Sequence, residues 1–297
     1  MVRNKKILVT GSSGQLGSKI SMLASNYDKY HFIFLDKNDL DISNFGLVKK
    51  TIKNTEADVI INCAALTDVY KAENQNKLVD LVNHCSVKNL AEICFENNAQ
   101  LIHISTDYVF DGEKNEPYLE SDLPNPINNY GLSKLSAENS ILEYNLKGSV
   151  IIRTSWVYSE FSNNFVRKII DKINLGHNFS VVDNEFGSPT NASDLAKAIL
   201  DIIPYLKDQN TEIYHFSNSG VCSRYDLAIE INRLLDGKSI ISSNKSSNKM
   251  INRPKFSALN SNKIADKFKL NINEWKHSLG NFFKELDKNK ISIYESY

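Results

Sequence analysis

The feature that most constrains this chain is a regular alternation of short apolar runs and amphipathic segments through residue 153. Ile7–Leu8–Val9–Thr10 is an apolar run ending in a glycine turn and reads as a buried strand. Apolar positions 16, 20, 23 and 24 then give helical spacing over residues 14–26. A second strand is predicted at His31–Leu35, a helix over 44–54 capped by Ser43 or Asn44, and a third strand at Val59–Ile61. A long helix is predicted within residues 74–97, a fourth strand at Leu101–Ile104, a helix over 130–146 and a fifth strand at Val150–Ile152. Strands that are continuously apolar belong to a sheet covered on both faces. Their alternation with helices makes that sheet parallel.

Beyond residue 153 the rhythm loosens. Helices are predicted at 161–175, 193–204, 224–236 and 273–289, with short strands near 179–182 and 213–216. Residues 237–256 are rich in Ser, Asn and Lys, contain Arg253–Pro254, and read as a loop. A chain of 297 residues has room for two domains at roughly 150 residues each. The expected division is residues 1–153 plus about 193–217 in a cofactor domain, and about 154–192 with 218–297 in a substrate domain.

Charge and cysteine usage exclude several function classes. Thirty-five Lys and Arg are balanced by 35 Asp and Glu, so the electrostatic footprint of a general nucleic-acid binder is missing. Cysteines 63, 85, 94 and 222 include no CxxC spacing, so neither a zinc site nor a redox dithiol is expected, and no metal is assigned. Cys63 reads as a small buried residue. No apolar run approaches the roughly 20 residues of a membrane span, and the N-terminal apolar stretch is too short for a signal peptide. A soluble, cytoplasmic protein is expected.

Gly11–Ser12–Ser13–Gly14–Gln15–Leu16–Gly17 lies directly between the first strand and the first helix. In such a loop the first glycine permits a tight turn and the second lets backbone approach a pyrophosphate. The third packs helix against strand, and the helix N-terminus faces the anion. Three glycines alone are equally an ordinary turn; the flanking strand and helix favour the dinucleotide reading. Asp36 ends the second strand nineteen residues after Gly17, where an acid can accept from an adenosine ribose. Lys37 can instead meet a 2′-phosphate, so NADH and NADPH both stay open. Asp41, Ile42, Ala65, Leu66 and Thr67 follow later sheet elements, at the strand ends where open α/β sheets bind ligands. Together these point to a Rossmann-type doubly wound parallel sheet with a smaller C-terminal α/β domain.

Tyr130 and Lys134 are spaced i, i+4, so both lie on one helix face. A lysine ammonium favours the phenolate and is expected to lower the tyrosine pKa, suiting proton donation to a carbonyl oxygen. Tyr-x-x-x-Lys alone is as readily a helix-surface pair. Context comes from Ser105–Thr106–Asp107–Tyr108 at another strand end, where a hydroxyl can steady a developing oxyanion.

These blocks, with Arg153–Thr154–Ser155–Trp156–Val157–Tyr158, Gly187–Ser188–Pro189–Thr190 and Arg253–Pro254–x–x–Ser257–x–Leu259, occur in an order that resembles the extended short-chain dehydrogenase/reductases. More closely, the chain resembles the dTDP-4-dehydrorhamnose reductase family over nearly its whole length. The resemblance implies a catalytic triad of Thr106, Tyr130 and Lys134. It implies cofactor contacts at Gly14, Gln15, Leu16, Asp36, Asp41, Ile42, Ala65, Leu66, Thr67 and Lys134. It places Asp107, Tyr108 and Trp156, with Arg253 near the phosphates, at a nucleotide-sugar substrate. The implied reaction is NAD(P)H-dependent reduction of a 4-keto group, dTDP-4-dehydro-L-rhamnose to dTDP-L-rhamnose.

Two departures from the family pattern stand out. Lys19 occupies a position where the family often has an acid linked to metal-dependent dimers, so a homodimer is allowed but a metal-bridged one is not expected. Tyr70 replaces an acid in Asp68–Val69–Tyr70–Lys71–Ala72–Glu73. Two other readings compete. A dehydratase would carry Asp-Glu where Asp107–Tyr108 stands, which disfavours dehydration; an epimerase would use the same triad. A regulatory subunit that binds NADP and a partner protein would have no need of the intact triad.

Overall fold

The computed structural model describes residues 4–206, 209–245 and 251–289. In chain order its elements begin with β1 (Lys5–Thr10), α1 (Gln15–Leu23), β2 (Tyr30–Leu35), α2 (Phe45–Thr55) and β3 (Val59–Asn62). Next come α3 (Val69–Asn74), α4 (Asn76–Asp80), α5 (Ser86–Asn97), β4 (Gln100–Thr106), α6 (Asn129–Tyr144) and β5 (Val150–Thr154). The remainder comprises β6 (Val157–Tyr158), α7 (Phe165–Asn174), β7 (Phe179–Val182), β8 (Phe186–Gly187), β9 (Thr190–Asn191) and α8 (Ala192–Ile202). It ends with β10 (Glu212–His215), β11 (Cys222–Ser223), α9 (Arg224–Leu234), β12 (Ile241–Asn244), α10 (Asn262–Phe268) and α11 (Trp275–Asn289).

Six strands form one parallel sheet in the order β10-β5-β4-β3-β1-β2. The chain winds outward from β1 to β2, then reverses to β3 on the other side. The carboxyl ends of β1 and β3 therefore frame a topological switch point, where doubly wound sheets open a ligand crevice. Alternate residues of each strand feed opposite faces. Ile7, Val9, Val59, Ile61, Val150 and Ile152 join one core with residues of α1, α8 and α10. Leu8, Ile60, Leu101 and Ile151 join the other with residues of α2, α5 and α6. This two-sided burial is the reason the strands read as unbroken apolar runs.

A separate apolar cluster joins α7, α9 and α11, centred on Ile169, Ile170, Leu227, Ile231, Leu279 and Phe282. The strands beside it are short: β6 pairs with β9, β8 with β11, and β7 with β12. Because β10 pairs with β5 and α8 packs on the large sheet, residues 192–215 return to the first body of the fold.

Two features depart from the plain sequence reading. The predicted loop at 237–256 contains β12, paired in parallel with β7. Its Ile241 is buried while Ser242, Ser243 and Asn244 are exposed, so the strand offers no apolar alternation to detect. The helix expected within 74–97 runs unbroken from α4 into α5, but through a wide π turn over Leu81–Cys85 that the sequence does not announce.

Candidate active site

The glycine loop follows β1 and sits against the end of β3. Gly11 has φ +63, and a Cβ there would lie 2.7 Å from the Ala64 amide nitrogen. A Cβ on Gly17 would lie 2.4 Å from the Gly11 carbonyl oxygen. Any side chain at either position would push α1 off the sheet. Gly14 is the N-cap of α1 and supplies no capping side chain, and the first turn holds no acid. The free N–H groups of that turn thus face a cleft of about 430 Å³ with their positive dipole end. This cradle fits a dinucleotide pyrophosphate.

Gly14, Gln15, Leu16, Ala65 and Thr67 line the cleft. Gln15 also ties the loop to the opposite wall: its Oε1 accepts from Asn164 Nδ2 (2.9 Å) and Ser159 Oγ (3.2 Å). Asp36, Asp41, Ile42 and Leu66 flank the cleft rather than line it. Asp36 Oδ1 accepts from the Asn38 and Asp39 amides, shaping the turn after β2. Ser43 donates to Asp41 from both hydroxyl and amide and holds its carboxyl below the usual range. Ile42 is buried in the core, and Leu66 has its backbone N–H and C=O taken by Asn83.

Thr106 ends β4. Its Oγ1 donates to Asp107 Oδ1 at 2.9 Å and accepts from the Tyr108 amide at 3.2 Å. Tyr130 enters from the first turn of α6, lines the same cleft as Thr106, and packs edge-on against Tyr108 at 5.8 Å. Two features seat that helix. Asn128 caps it by accepting from the Gly131 amide at 2.8 Å. Gly131 lies so close to the Tyr108 carbonyl that a Cβ would come within 2.1 Å of its oxygen. One turn on, Lys134 is 1% exposed and donates to the Ile104 carbonyl at 2.6 Å.

The electrostatics correct one expectation. Burial pushes the Tyr130 phenol above its ordinary value, and nearby Asp107 adds to the rise, so the phenol is not lowered. Burial also pulls Lys134 down to about 8, so it is still mostly an ammonium at neutral pH. Asp107, 2% exposed, is pushed up to about 6 by burial.

Trp156 forms part of the opposite wall. Its backbone has φ +47, and Gly187 leaves room for its indole, since a Cβ there would lie 2.5 Å from the ring. The Arg224 guanidinium stacks 3.5 Å above that ring. Arg224 was not singled out from sequence. The Ser223-x-x-Asp226 capping box that starts α9 is legible, but the direction of the arginine is not. Arg253, expected near the phosphates, is exposed and does not line the cleft, though its charge still acts on Tyr108 and Arg224. Cys63 is part-buried and lines the cleft instead of lying wholly in the core.

Other unforeseen residues hold the site from behind. Asn83, turned inward by the π turn, bonds Leu66 on both backbone atoms and Ser133 Oγ at 3.2 Å, joining the loop after β3 to α6. Arg153 and Glu138 form a buried pair at 2.6 Å beneath the cleft, to which Ser105 also donates. Lys19 is buried against Glu160 at 2.7 Å, within the chain. Tyr70 is exposed on α3 and does not line the cleft. Among the described residues, Asp80, His84 and Cys85 bring ligand atoms within 4.8 Å of one another, a cluster not expected from sequence. No described helix is long and apolar enough to cross a membrane.

A family model described as the RmlD substrate binding domain matches residues 5–288. A dTDP-4-dehydrorhamnose reductase of Aggregatibacter actinomycetemcomitans is 33% identical over 287 residues, covering 93% of this chain and 97% of the relative. A dTDP-4-keto-6-deoxy-D-glucose reductase of Streptomyces niveus is 34% identical over 228 residues, covering 77% of this chain and 78% of the relative. A crystal structure of dTDP-4-dehydrorhamnose reductase from Bacillus anthracis, in complex with NADP, superposes with a TM-score of 0.90 at 34% identity, covering 95% of this chain and 99% of that one. With the matched model spanning nearly the whole fold, and the glycine cradle and the Thr106–Tyr130–Lys134 cluster in one cleft, this chain belongs to the dTDP-4-dehydrorhamnose reductase family.

Proposed function

We propose that this protein reduces the C4 keto group of a nucleotide-activated 4-keto-6-deoxy sugar, dTDP-4-dehydro-L-rhamnose to dTDP-L-rhamnose, using NADPH. The observation that carries the proposal is the meeting of Thr106, Tyr130 and Lys134 at the end of β4, beside the glycine cradle. Reduced nicotinamide supplies the hydride when bound. Gly11, Gly14 and Gly17 hold the backbone open for the pyrophosphate. Lys37, exposed next to Asp36, favours the 2′-phosphate of NADPH, because one Asp36 oxygen already serves its turn.

Tyr130 delivers a proton to the C4 oxygen, and its raised pKa keeps that proton in place until the oxygen becomes basic. Thr106 orients the same oxygen, and Lys134 bonds the nicotinamide ribose. Asp107, Tyr108 and Trp156 contact the sugar nucleotide, and Arg224 with Arg253 supplies positive charge toward its phosphates. The same reading takes residues 1–153 and about 193–217 as the cofactor domain, and the rest as the substrate domain. A cytoplasmic setting belongs to it as well, since the four cysteines are free and a reducing compartment keeps them so.

The test follows NADPH absorbance with enzymatically prepared dTDP-4-dehydro-L-rhamnose, and with dTDP-4-keto-6-deoxy-D-glucose alongside. Cofactor oxidation with dTDP-L-rhamnose as product is expected from the first. Tyr130→Phe should lower kcat by roughly 10²- to 10⁴-fold while NADPH binding is kept. Wild-type turnover in that variant would remove Tyr130 as the proton donor. Equilibration of a keto-sugar without net oxidation of cofactor would favour an epimerase.

A further inference from the structure

The π turn over Leu81–Cys85 gathers three side chains of metal-ligand type, none of which lines the cleft. On an α-helix of 3.6 residues per turn, His84 would stand near Asp80, but Cys85 would be carried about 140° around the axis. A π turn closes its backbone bond from i to i+5, here from the Ser86 N–H to the Leu81 carbonyl, and so brings residue i+5 back over residue i. Asp80 therefore meets both neighbours. Its Oδ1 lies 2.9 Å from His84 Nδ1, and its Oδ2 accepts from Cys85 Sγ at 3.5 Å. One ligand atom from each of the three residues lies within 4.8 Å of the other two.

The spacings suit a tetrahedral ion. With metal–nitrogen and metal–oxygen bonds of about 2.0–2.1 Å and a metal–sulfur bond of about 2.3 Å, the N–O and S–O edges come to about 3.3 and 3.6 Å. The observed 2.9 and 3.5 Å reach those values by small side-chain rotations. The donor set selects the ion. A single carboxylate is a poor site for Mg²⁺ or Ca²⁺, which demand oxygen shells, whereas imidazole with thiolate suits Zn²⁺. Thiolate and carboxylate together balance the two positive charges, and the nearby Lys88 charge favours the thiolate. The turn is also held from its other side. Ser86 Oγ donates to the Leu81 carbonyl at 2.7 Å, and Asn83 is fixed to Leu66 and Ser133. A site on an anchored turn has little left to order when an ion arrives.

We propose that Asp80, His84 and Cys85 form a Zn²⁺ site with three protein ligands and water in the fourth position. The site goes beyond the reductase reading, since its residues lie outside the cleft that carries that chemistry. On binding, Cys85 gives its thiol proton to solvent and its sulfur bonds the metal. His84 bonds through Nδ1 as a neutral imidazole, and Asp80 through one carboxylate oxygen.

The test titrates reduced, tag-free, full-length protein with Zn²⁺ alone, and with Co²⁺ as a spectroscopic probe. One equivalent of Zn²⁺ should bind with a micromolar or tighter Kd, and excess Mg²⁺ should not displace it. Co²⁺ should give a thiolate-to-metal absorption band that Zn²⁺ abolishes. Cys85→Ala should remove that band and weaken Zn²⁺ binding at least about 100-fold, and His84→Ala should weaken it at least about tenfold, with melting curves showing both variants folded. Absence of binding, or a band and affinity unchanged in either folded variant, overturns the proposal. X-ray absorption of the zinc-loaded wild type needs no variant. One sulfur at about 2.3 Å and three lighter ligands at about 2.0–2.1 Å are expected. A shell without sulfur, or with two or more sulfurs, also overturns the site. Neither readout needs turnover, so a silent reductase assay leaves this inference standing and an absent metal leaves the reductase reading standing.

Discussion

The two walls of the cleft are built by different means. One is the carboxyl edge of a six-stranded parallel sheet, whose central residues Ile7–Val9, Val59–Ile61 and Val150–Ile152 are all 0% exposed. The other is assembled from two-residue strands, turns and a stacked pair, Trp156 with Arg224. The first wall is held by apolar burial on both faces. The second is held by local hydrogen bonds and close packing, such as Gly187 beneath the indole and Ser155 Oγ donating to the Ser188 carbonyl at 2.6 Å. Parts placed by a deep core hold their geometry however the surface varies. Parts placed by turns can be retuned singly, which suits a wall that selects a substrate.

The sharpest way to break this contrast is to damage each wall in turn. Ile151→Ala, in the middle of β5, should cost about 2–5 kcal/mol of folding stability, because its packed neighbours on that face of the sheet cannot fully collapse onto the gap. Chemical denaturation measures that loss. A cost near zero would mean the sheet wall is not the rigid half.

Between the walls, Asp107 should be a stability liability kept for the site. Its folded pKa, about 6, lies above the unfolded value near 3.8. The folded state therefore holds the extra proton, and the stability this brings is fully present below pH 3.8 and lost as pH rises through 6. Asp107→Asn should then be more stable than the wild type by about 2–3 kcal/mol at pH 8, and the gap should close as pH falls below 4. Melting temperatures of both proteins across that range decide it; a gap independent of pH would refute the assignment.

On the second wall, Arg224→Leu keeps an apolar body against Trp156 but removes the charge. It should raise KM for the nucleotide sugar roughly tenfold, about 1.4 kcal/mol, with melting temperature and NADPH affinity nearly unchanged. An equal loss of NADPH affinity would show that Arg224 belongs to the cofactor side.

The first wall was largely legible in the sequence, the second only in outline. Apolar runs located every strand of the large sheet, and Gly11, Gly14 and Gly17 marked the anion cradle through turn and contact requirements that act within a few residues. The order of Thr106, Tyr130 and Lys134 was readable, but their meeting depends on Gly131 pressing against the Tyr108 carbonyl across 23 residues. Strand β12 escaped because its outward residues are Ser and Asn, and a polar edge strand has no apolar period. The π turn escaped because one extra residue per turn leaves little trace in composition, yet it aims Asn83 inward. Arg253, expected near the phosphates, is exposed and acts through its charge on Tyr108 and Arg224, whereas Arg224, which no local pattern marked, lines the cleft.

The sequence by itself determined the doubly wound sheet, the glycine cradle and the chemical types at the reacting centre, because these follow from periodicity and from contacts between near neighbours. Only the tertiary structure decided the protonation of the centre and the shape of its far wall. Burial raises Tyr130, lowers Lys134 and lifts Asp107, and it arises from elements distant in the chain. The pairing of His103 with Lys134 and of Arg224 with Trp156 likewise joins residues 31 and 68 positions apart. Such charges and contacts depend on the dielectric and neighbours that a finished fold creates, and no local pattern encodes them.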